Sequence, residues 1–220
     1  MASPEYTDSP DPWAGLGPWG WDDLTRRRFE AAALGGEQPA RVLRADRGAC
    51  VVALCDGERH LPIDKRLGSD SEERPTTGDW AVVRGGEVIA VLERRTAVVR
   101  AAADPSGKPQ VLAANVDNVL LLEPLTDRWR PRRLERLLVI AWQSGARPIV
   151  VLTKADLVAS VDEALAKAMS VAPGVSVHAV SSVEGLGIDR LLADLAPGTT
   201  AVVLGRSGAG KSTLSNLLSA

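Results

Sequence analysis

Gly205-Arg206-Ser207-Gly208-Ala209-Gly210-Lys211-Ser212 is the stretch that decides the architecture of this 220-residue chain. It matches G-x-x-x-x-G-K-[ST], in which glycines let successive backbone N–H groups curl around phosphates. Lys211 is then placed to reach the β- and γ-phosphates, and the Ser212 hydroxyl is a ligand for Mg²⁺. Thr213 completes the set of residues at the start of the following helix. Thr200 to Leu204 reads as a short buried strand, and Lys211 to Leu218 carries apolar residues at helical spacing. Strand, Gly-rich turn and helix are what phosphates need, because the helix N-terminus adds partial positive charge. An ordinary Gly-rich turn is the competing reading, and the strand and helix on either side weigh against it.

Upstream, Thr153-Lys154-Ala155-Asp156 follows the apolar run Ile149-Val150-Val151-Leu152. It therefore lies at the C-terminal end of a buried parallel strand, where ligands bind in open α/β sheets. A carboxylate there can accept two hydrogen bonds from guanine N1–H and the 2-amino group, a donor pair that adenine lacks. Lys154 can lay its methylene stem along the base. The alternative is an Asp that caps a helix over Leu157 to Met169. Lysine is scarce in this chain, five against 21 arginines, and two of the five fall in these two motifs. A third element, Val180-Ser181-Ser182, follows the alternating strand-like stretch Val175 to Ala179. Taken alone it reads as a turn before Gly185-Leu186-Gly187, but its spacing behind Asp156 suits a small-residue loop that touches the base.

The predicted fold class is α/β, a small N-terminal β-barrel followed by a partial parallel-sheet domain. Residues 1–38 form a tail and extension, with a polar, Pro-bearing Ala2 to Pro12 that reads as disordered. Over 39–100, short β-like runs at Arg41–Leu43, Cys50–Leu54, Ala81–Val83 and Val88–Leu92 suit an OB-fold or another small barrel. Residues 101–113 read as a linker, within which Asp104-Pro105-Ser106-Gly107 is a turn. From 114 to 220 strands and helices alternate: Val116–Leu122, a helix over Pro131–Gln143, the Ile149 strand, helix Asp162–Met169, the Val175 strand, helix Ile188–Leu195, and the phosphate-loop unit. Such alternation argues for a parallel sheet.

A net charge of −2 and 45% apolar content describe a chain able to bury a core of about two units. No apolar run approaches the ~18 residues that span a membrane, and no signal-peptide core is present, so a cytoplasmic, non-membrane protein is expected. Cys50 and Cys55 are too few for a disulfide framework and poorly spaced for a metal; His60 and His178 lack a ligand cluster. Arg128, Arg130, Arg132, Arg133 and Arg136 crowd a helix start, where cations oppose the macrodipole. A phosphate-contacting patch, joined by Arg94, Arg95 and Arg100, would explain them, as would a solvated helix face. Trp80 is the barrel's evident aromatic, either a stacking platform or core.

A guanine motif, then a Ser-Ser loop, then a phosphate loop is the reverse of the usual order, and it resembles the circularly permuted GTPases. Gln110-Val111-Leu112-Ala113-Ala114-Asn115-Val116-Asp117, Pro75-Thr76-Thr77-Gly78-Asp79-Trp80 and Leu16-Gly17-Pro18-Trp19-Gly20-Trp21-Asp22-Asp23 are similar to segments of the ribosome small-subunit-dependent GTPase family. That resemblance implies GTP binding and hydrolysis to GDP and phosphate, coupled to late maturation of the small (30S) ribosomal subunit. It also implies an OB-fold on ribosomal RNA, Mg²⁺ as cofactor and a monomer. It assigns Gly205, Arg206, Ser207, Gly208, Ala209, Gly210, Lys211, Ser212 and Thr213 to phosphates, with Ser212 on Mg²⁺. Thr153, Lys154, Ala155 and Asp156 go to guanine, with Ser181 and Ser182 as further base contacts. Thr153 departs from the family's Asn, which puts one polar link to the phosphate loop in doubt. The resemblance further places a switch I threonine, an Asp-x-x-Gly motif and a zinc-binding domain after the phosphate loop, so the stretch ending at Ala220 is expected to lack them and the water-positioning residue. Two rival readings stand, an adenine-specific P-loop ATPase or kinase and a non-catalytic RNA-binding fragment.

Overall fold

The computed structural model describes residues 11–67, 74–100, 109–126 and 131–219. These form two compact units, Met1–Glu93 and Arg94–Ala220.

The first unit is a five-stranded antiparallel sheet of β1 (Gln38–Ala45), β2 (Ala49–Leu54), β3 (Gly57–Pro62), β4 (Trp80–Arg84) and β5 (Glu87–Val91), in the order β3-β2-β1-β4-β5. The sheet curls until Ile63, just past β3, bridges Val88 of β5. Closure removes most of the exposed edge, as expected of an OB-like barrel. Inside lie Ala40, Val42, Cys50, Val52, Ala81, Val83 and Val88. A second cluster of Leu16, Phe29, Trp80, Val82 and Leu92 fastens the preceding segment, including helix α1 (Asp23–Ala32), to the barrel. Asp22 caps α1 by accepting from the Thr25 N–H at 2.8 Å. Trp80 is 2% exposed, with the Arg41 guanidinium 5.0 Å from its ring centroid. It is therefore core, and the stacking-platform reading does not hold for it.

The second unit opens earlier than the sequence predicts. Strand β6 (Ala97–Arg100), expected in the barrel, pairs antiparallel with β7 (Gln110–Ala114), expected in the linker. The junction is pinned by the Asn115 side chain, which accepts from the Arg95 N–H at 3.0 Å, and by the Thr96 hydroxyl, which donates to the Val116 carbonyl at 2.6 Å. Residues 104–107, Arg128 and Arg130 lie outside the described residues, as do residues 2–10 of the expected tail.

Next come β8 (Asn118–Pro124), α2 (Pro131–Gln143), β9 (Arg147–Thr153), α3 (Asp162–Val171), β10 (Ser176–Val180), α4 (Ile188–Ala193), β11 (Ala201–Gly205) and α5 (Lys211–Leu218). The four strands form a parallel sheet in the order β10-β9-β8-β11. One face carries Val119, Leu121, Leu134, Leu138, Val150 and Leu152 with α2 and α3; the other carries Leu120, Leu122, Ile149, Val151, Leu191 and Leu214 with α4 and α5. Near-continuous apolar strands follow from that two-sided burial.

At the pole where these strands begin, Asp194 accepts hydrogen bonds from Arg147 and sits 3.0 Å from His178 Nε2. Burial pushes the Asp194 carboxyl up, but bonds from Arg147, His178 and Ser176 outweigh it and hold it at about 2. Because the folded value is depressed, its stabilisation is complete above the unfolded value of about 3.9 and is lost as pH falls toward about 2. Asp194→Asn is therefore expected to lower unfolding free energy at pH 7 by about 1 to 2 kcal/mol. It should also flatten the loss of stability between about pH 4 and pH 2, measured by urea unfolding across pH.

Candidate functional site

Every motif residue leaves the C-terminal end of a parallel strand. β11 runs into the phosphate loop, β9 into Thr153-Lys154-Ala155-Asp156 and β10 into Ser181-Ser182. With β8 between β9 and β11, the phosphate loop and the guanine motif flank one strand. This is the edge at which open parallel sheets bind ligands.

The three glycines of the phosphate loop have different reasons to be there. Gly208 and Gly210 sit at φ 76° and 89°, left-handed backbone that side chains rarely adopt. At Gly205 the constraint is space, since a Cβ would lie 2.8 Å from the Leu122 carbonyl oxygen. Ala209 is fully buried among Leu122, Val151 and Leu214, which anchors the loop to the sheet. Ser207 and Gly208 are exposed, and the first turn of α5 beyond Gly210 carries N–H groups that have no acceptor within the helix. Lys211 Nζ donates to the Gly205 and Arg206 carbonyls at 3.0 and 2.8 Å, holding its charge against the loop. Ser212 and Thr213 are exposed on that first turn.

Arg206 turns away from this surface. Its Nη2 donates to Thr126 Oγ1 at 3.2 Å, just beyond β8. Thr126 carries no motif and was invisible to pattern reading.

In the guanine motif, Lys154 adopts left-handed backbone at φ 63°, a strained choice for a residue with a side chain. That turn starts a short 3-10 helix, Ala155–Leu157, so no long helix follows for Asp156 to cap. Asp156 is exposed, with no hydrogen-bond or ion-pair partner among the described residues, so its carboxylate is available to a ligand. Thr153 is 3% exposed, and its Oγ1 donates to the Ala209 carbonyl at 2.8 Å. The polar link to the phosphate loop that the missing Asn put in doubt is thus made by a threonine hydroxyl.

The Ser-Ser loop divides its two hydroxyls. Ser181 is fully buried, pairs its N–H with the Leu186 carbonyl, and accepts from the Glu184 N–H at 3.2 Å. Its hydroxyl therefore shapes the loop, and Ser182 is the half-buried one. Gly187 cannot be replaced, since φ is 72° and a Cβ would meet the Ala179 carbonyl oxygen.

At the Arg-rich start of α2, Arg133 is taken up inside the fold. Arg133 Nε donates to Glu123 Oε1 at 2.6 Å and Nη2 to Oε2 at 2.5 Å, a fork on a carboxylate that is fully buried in β8. Its cost against the helix dipole is offset by neutralising Glu123, which raises the Arg133 pKa. Arg95 lies 3.8 Å from Asp117 and Arg100 donates to Gln110, so both make contacts within the second unit. Arg132 and Arg136 remain exposed on α2.

For Mg²⁺ the donor set fits. Ser212 offers a hard hydroxyl oxygen beside the loop, and Mg²⁺ is commonly completed by phosphate oxygens and water. Among the described residues no three His, Cys, Asp or Glu side chains gather as a metal site, so the zinc implied by the resemblance is assigned to none of them.

Comparison with known proteins adds an independent line. Residues 91–220 match the family model described as RsgA GTPase. The chain is 42% identical over 219 residues to the small ribosomal subunit biogenesis GTPase RsgA of Streptomyces coelicolor, covering 96% of this chain and 60% of that protein. It is 38% identical over 220 residues to the RsgA of Opitutus terrae, covering 92% and 60%. The chain thus spans about 60% of the length of these curated relatives. Its fold is shared by YjeQ from Thermotoga maritima, with a TM-score of 0.62 and 21% identity over 83% of this chain and 65% of that one. YloQ, described as a circularly permuted GTPase, gives a TM-score of 0.61 and 22% identity over 83% and 64%.

Since the Thr153 hydroxyl meets a buried carbonyl, Thr153→Val is expected to cost about 1 to 2 kcal/mol of unfolding free energy. Thr153→Ser should recover most of it. Urea denaturation of the three chains measures both.

Proposed function

The chain belongs to the RsgA GTPase family, and from that premise we propose that it is the guanine-nucleotide-binding part of a GTPase acting in small ribosomal subunit biogenesis. The observation that carries the reading is the buried Thr153–Ala209 hydrogen bond, which ties a free Asp156 carboxylate and a phosphate loop to one sheet edge. A loop that cradles phosphates and a carboxylate matched to guanine have a joint use in a guanine nucleotide.

In this proposal Gly208, Gly210 and Lys211 hold phosphates, with Ser207, Ala209 and Thr213 contributing backbone and first-turn contacts. Lys154 stacks its stem on the base, Asp156 accepts from N1–H and the 2-amino group, and Ser182 borders the base. Ser212 holds Mg²⁺, which when bound supplies neutralisation of phosphate charge. Hydrolysis in the whole protein is phosphoryl transfer to water, in which positioning and electrostatics do most of the catalysis. The water-orienting residue is assigned to none of residues 1–220. The ribosomal partner follows from the names of the relatives, and the barrel unit is the proposed contact with ribosomal RNA in the cytoplasm.

The test is displacement of fluorescent GDP from the purified chain, with Mg²⁺, by GDP, ADP and XDP. Displacement by GDP and not ADP is expected; equal displacement by ADP would turn the assignment to an adenine-binding ATPase. No binding of GDP would favour a non-catalytic RNA-binding role. Asp156→Asn should lower affinity for GDP at least tenfold and improve that for XDP, whose C2 carbonyl accepts from the new amide where the 2-amino group donated.

A further inference from the structure

The Thr153–Ala209 bond is one member of a closed circuit. The Ala209 N–H donates back to the Arg206 carbonyl at 3.2 Å, and Arg206 Nη2 donates to Thr126 Oγ1 at 3.2 Å. One residue earlier, the Leu125 N–H donates to the Thr153 carbonyl at 2.8 Å. Thr153 is therefore held at both ends, directly from the phosphate loop through its hydroxyl and indirectly through its carbonyl by way of Arg206, Thr126 and Leu125.

We propose that Arg206 and Thr126 are positioning residues that couple phosphate binding to recognition of the guanine base, a proposal that rests on the guanine-nucleotide reading above. Three observations carry it. First, Arg206 occupies a place where a phosphate loop uses only its backbone, yet its side chain spans to a different strand end. Its Nε is buried without a hydrogen-bond partner among the described residues. The guanidinium is thus tucked in at a cost, and Thr126 is what receives it.

Second, packing is incomplete at Thr126, which is half-buried. Leu125 and Thr126 border a cavity of about 230 Å³ together with Val158 and Ser160, which follow the guanine motif. Leu125 itself is packed into the core, so it is at Thr126, beside the cavity, that the hydrogen bond from Arg206 adds the hold that packing leaves out. Third, the residue held by the circuit immediately precedes Lys154, whose left-handed backbone aims the chain at Asp156. A small rotation of the Thr153 carbonyl turns that peptide plane, and the carboxylate is carried with it.

A phosphate on the loop fixes Arg206 and Ala209; through both routes it fixes Thr153 and so sharpens the fit of Asp156 to the base. If the indirect route is cut, Asp156 keeps its chemistry but loses part of its aim. The loss falls most heavily on the hydrogen bond to the guanine 2-amino group, which inosine diphosphate does not have.

The experiment uses the 220-residue chain, unchanged and as Thr126→Val, Thr126→Ser and Arg206→Ala. Affinities for GDP and IDP are read by displacement of fluorescent GDP with Mg²⁺, with a melting temperature for each variant. Thr126→Val and Arg206→Ala are expected to weaken GDP roughly tenfold and IDP roughly threefold, so that preference for GDP over IDP falls about threefold. Thr126→Ser, which keeps the hydroxyl, should restore both. Equal weakening of GDP and IDP in the variants, or no change in either, overturns the coupling. Should Thr126→Val melt early, Arg206→Ala decides alone, because it removes the same bond from the other side. A parent chain that binds no GDP overturns the nucleotide reading and this proposal with it; a parent that binds while the ratio stays constant overturns the coupling alone.

Discussion

Burial of β8 on both faces and along both edges is the constraint from which the second unit is built. All seven of its residues are buried, with β9 on one edge and β11 on the other. A strand in that position must be apolar or supply a partner for each polar group. Asn118 meets Thr199, and Glu123 meets the forked guanidinium of Arg133. The loops that follow β9 and β11 consequently lie two strand spacings apart, about 10 Å. That gap is comparable with the reach of a nucleoside diphosphate from base to terminal phosphate, so one buried strand sets the spacing of the two halves of the proposed site.

What could be read from residues alone was the set of elements whose pattern is enforced by two-sided burial. Pro131–Gln143 forms α2 and Lys211–Leu218 forms α5 over the spans their apolar spacing predicts. Elements with little burial escaped notice. β3 is exposed along most of its length and reads as polar, and β7 pairs with β6 through backbone bonds that leave no periodic signature. The glycines of the phosphate loop were legible because their conformations demand a residue type. Thr126 was not, because a hydroxyl that accepts one hydrogen bond resembles any exposed threonine until the strand beside it is in place.

Arginine usage shows how part of the local charge is spent inside the fold. Arg133, Arg147, Arg84 and Arg66 each grip a carboxylate through more than one nitrogen or beside further polar partners. A planar fork suits such fixed pairs, whereas an ammonium is a mobile point charge. At the start of α2 the described arginines divide, Arg133 clasping Glu123 while Arg132 and Arg136 stay exposed. Lys211 shows the complementary behaviour: it rests on two loop carbonyls, weak neutral acceptors that a phosphate oxygen can replace without breaking an ion pair.

Chain order and spatial order separate cleanly in this sheet. Strand order β10-β9-β8-β11 depends on which faces and edges must be buried, and a parallel sheet tolerates different points of entry provided that the crossovers still reach. The phosphate loop can therefore follow the guanine motif in the chain and still stand one strand from it. Residues 153 and 209 are distant along the chain and joined through the fold. The buried hydroxyl of Thr153 and the Arg206–Thr126 bridge link the strand ends with side chains. A threonine suffices where a longer amide is usual because β9 and the loop already approach closely enough for its short reach.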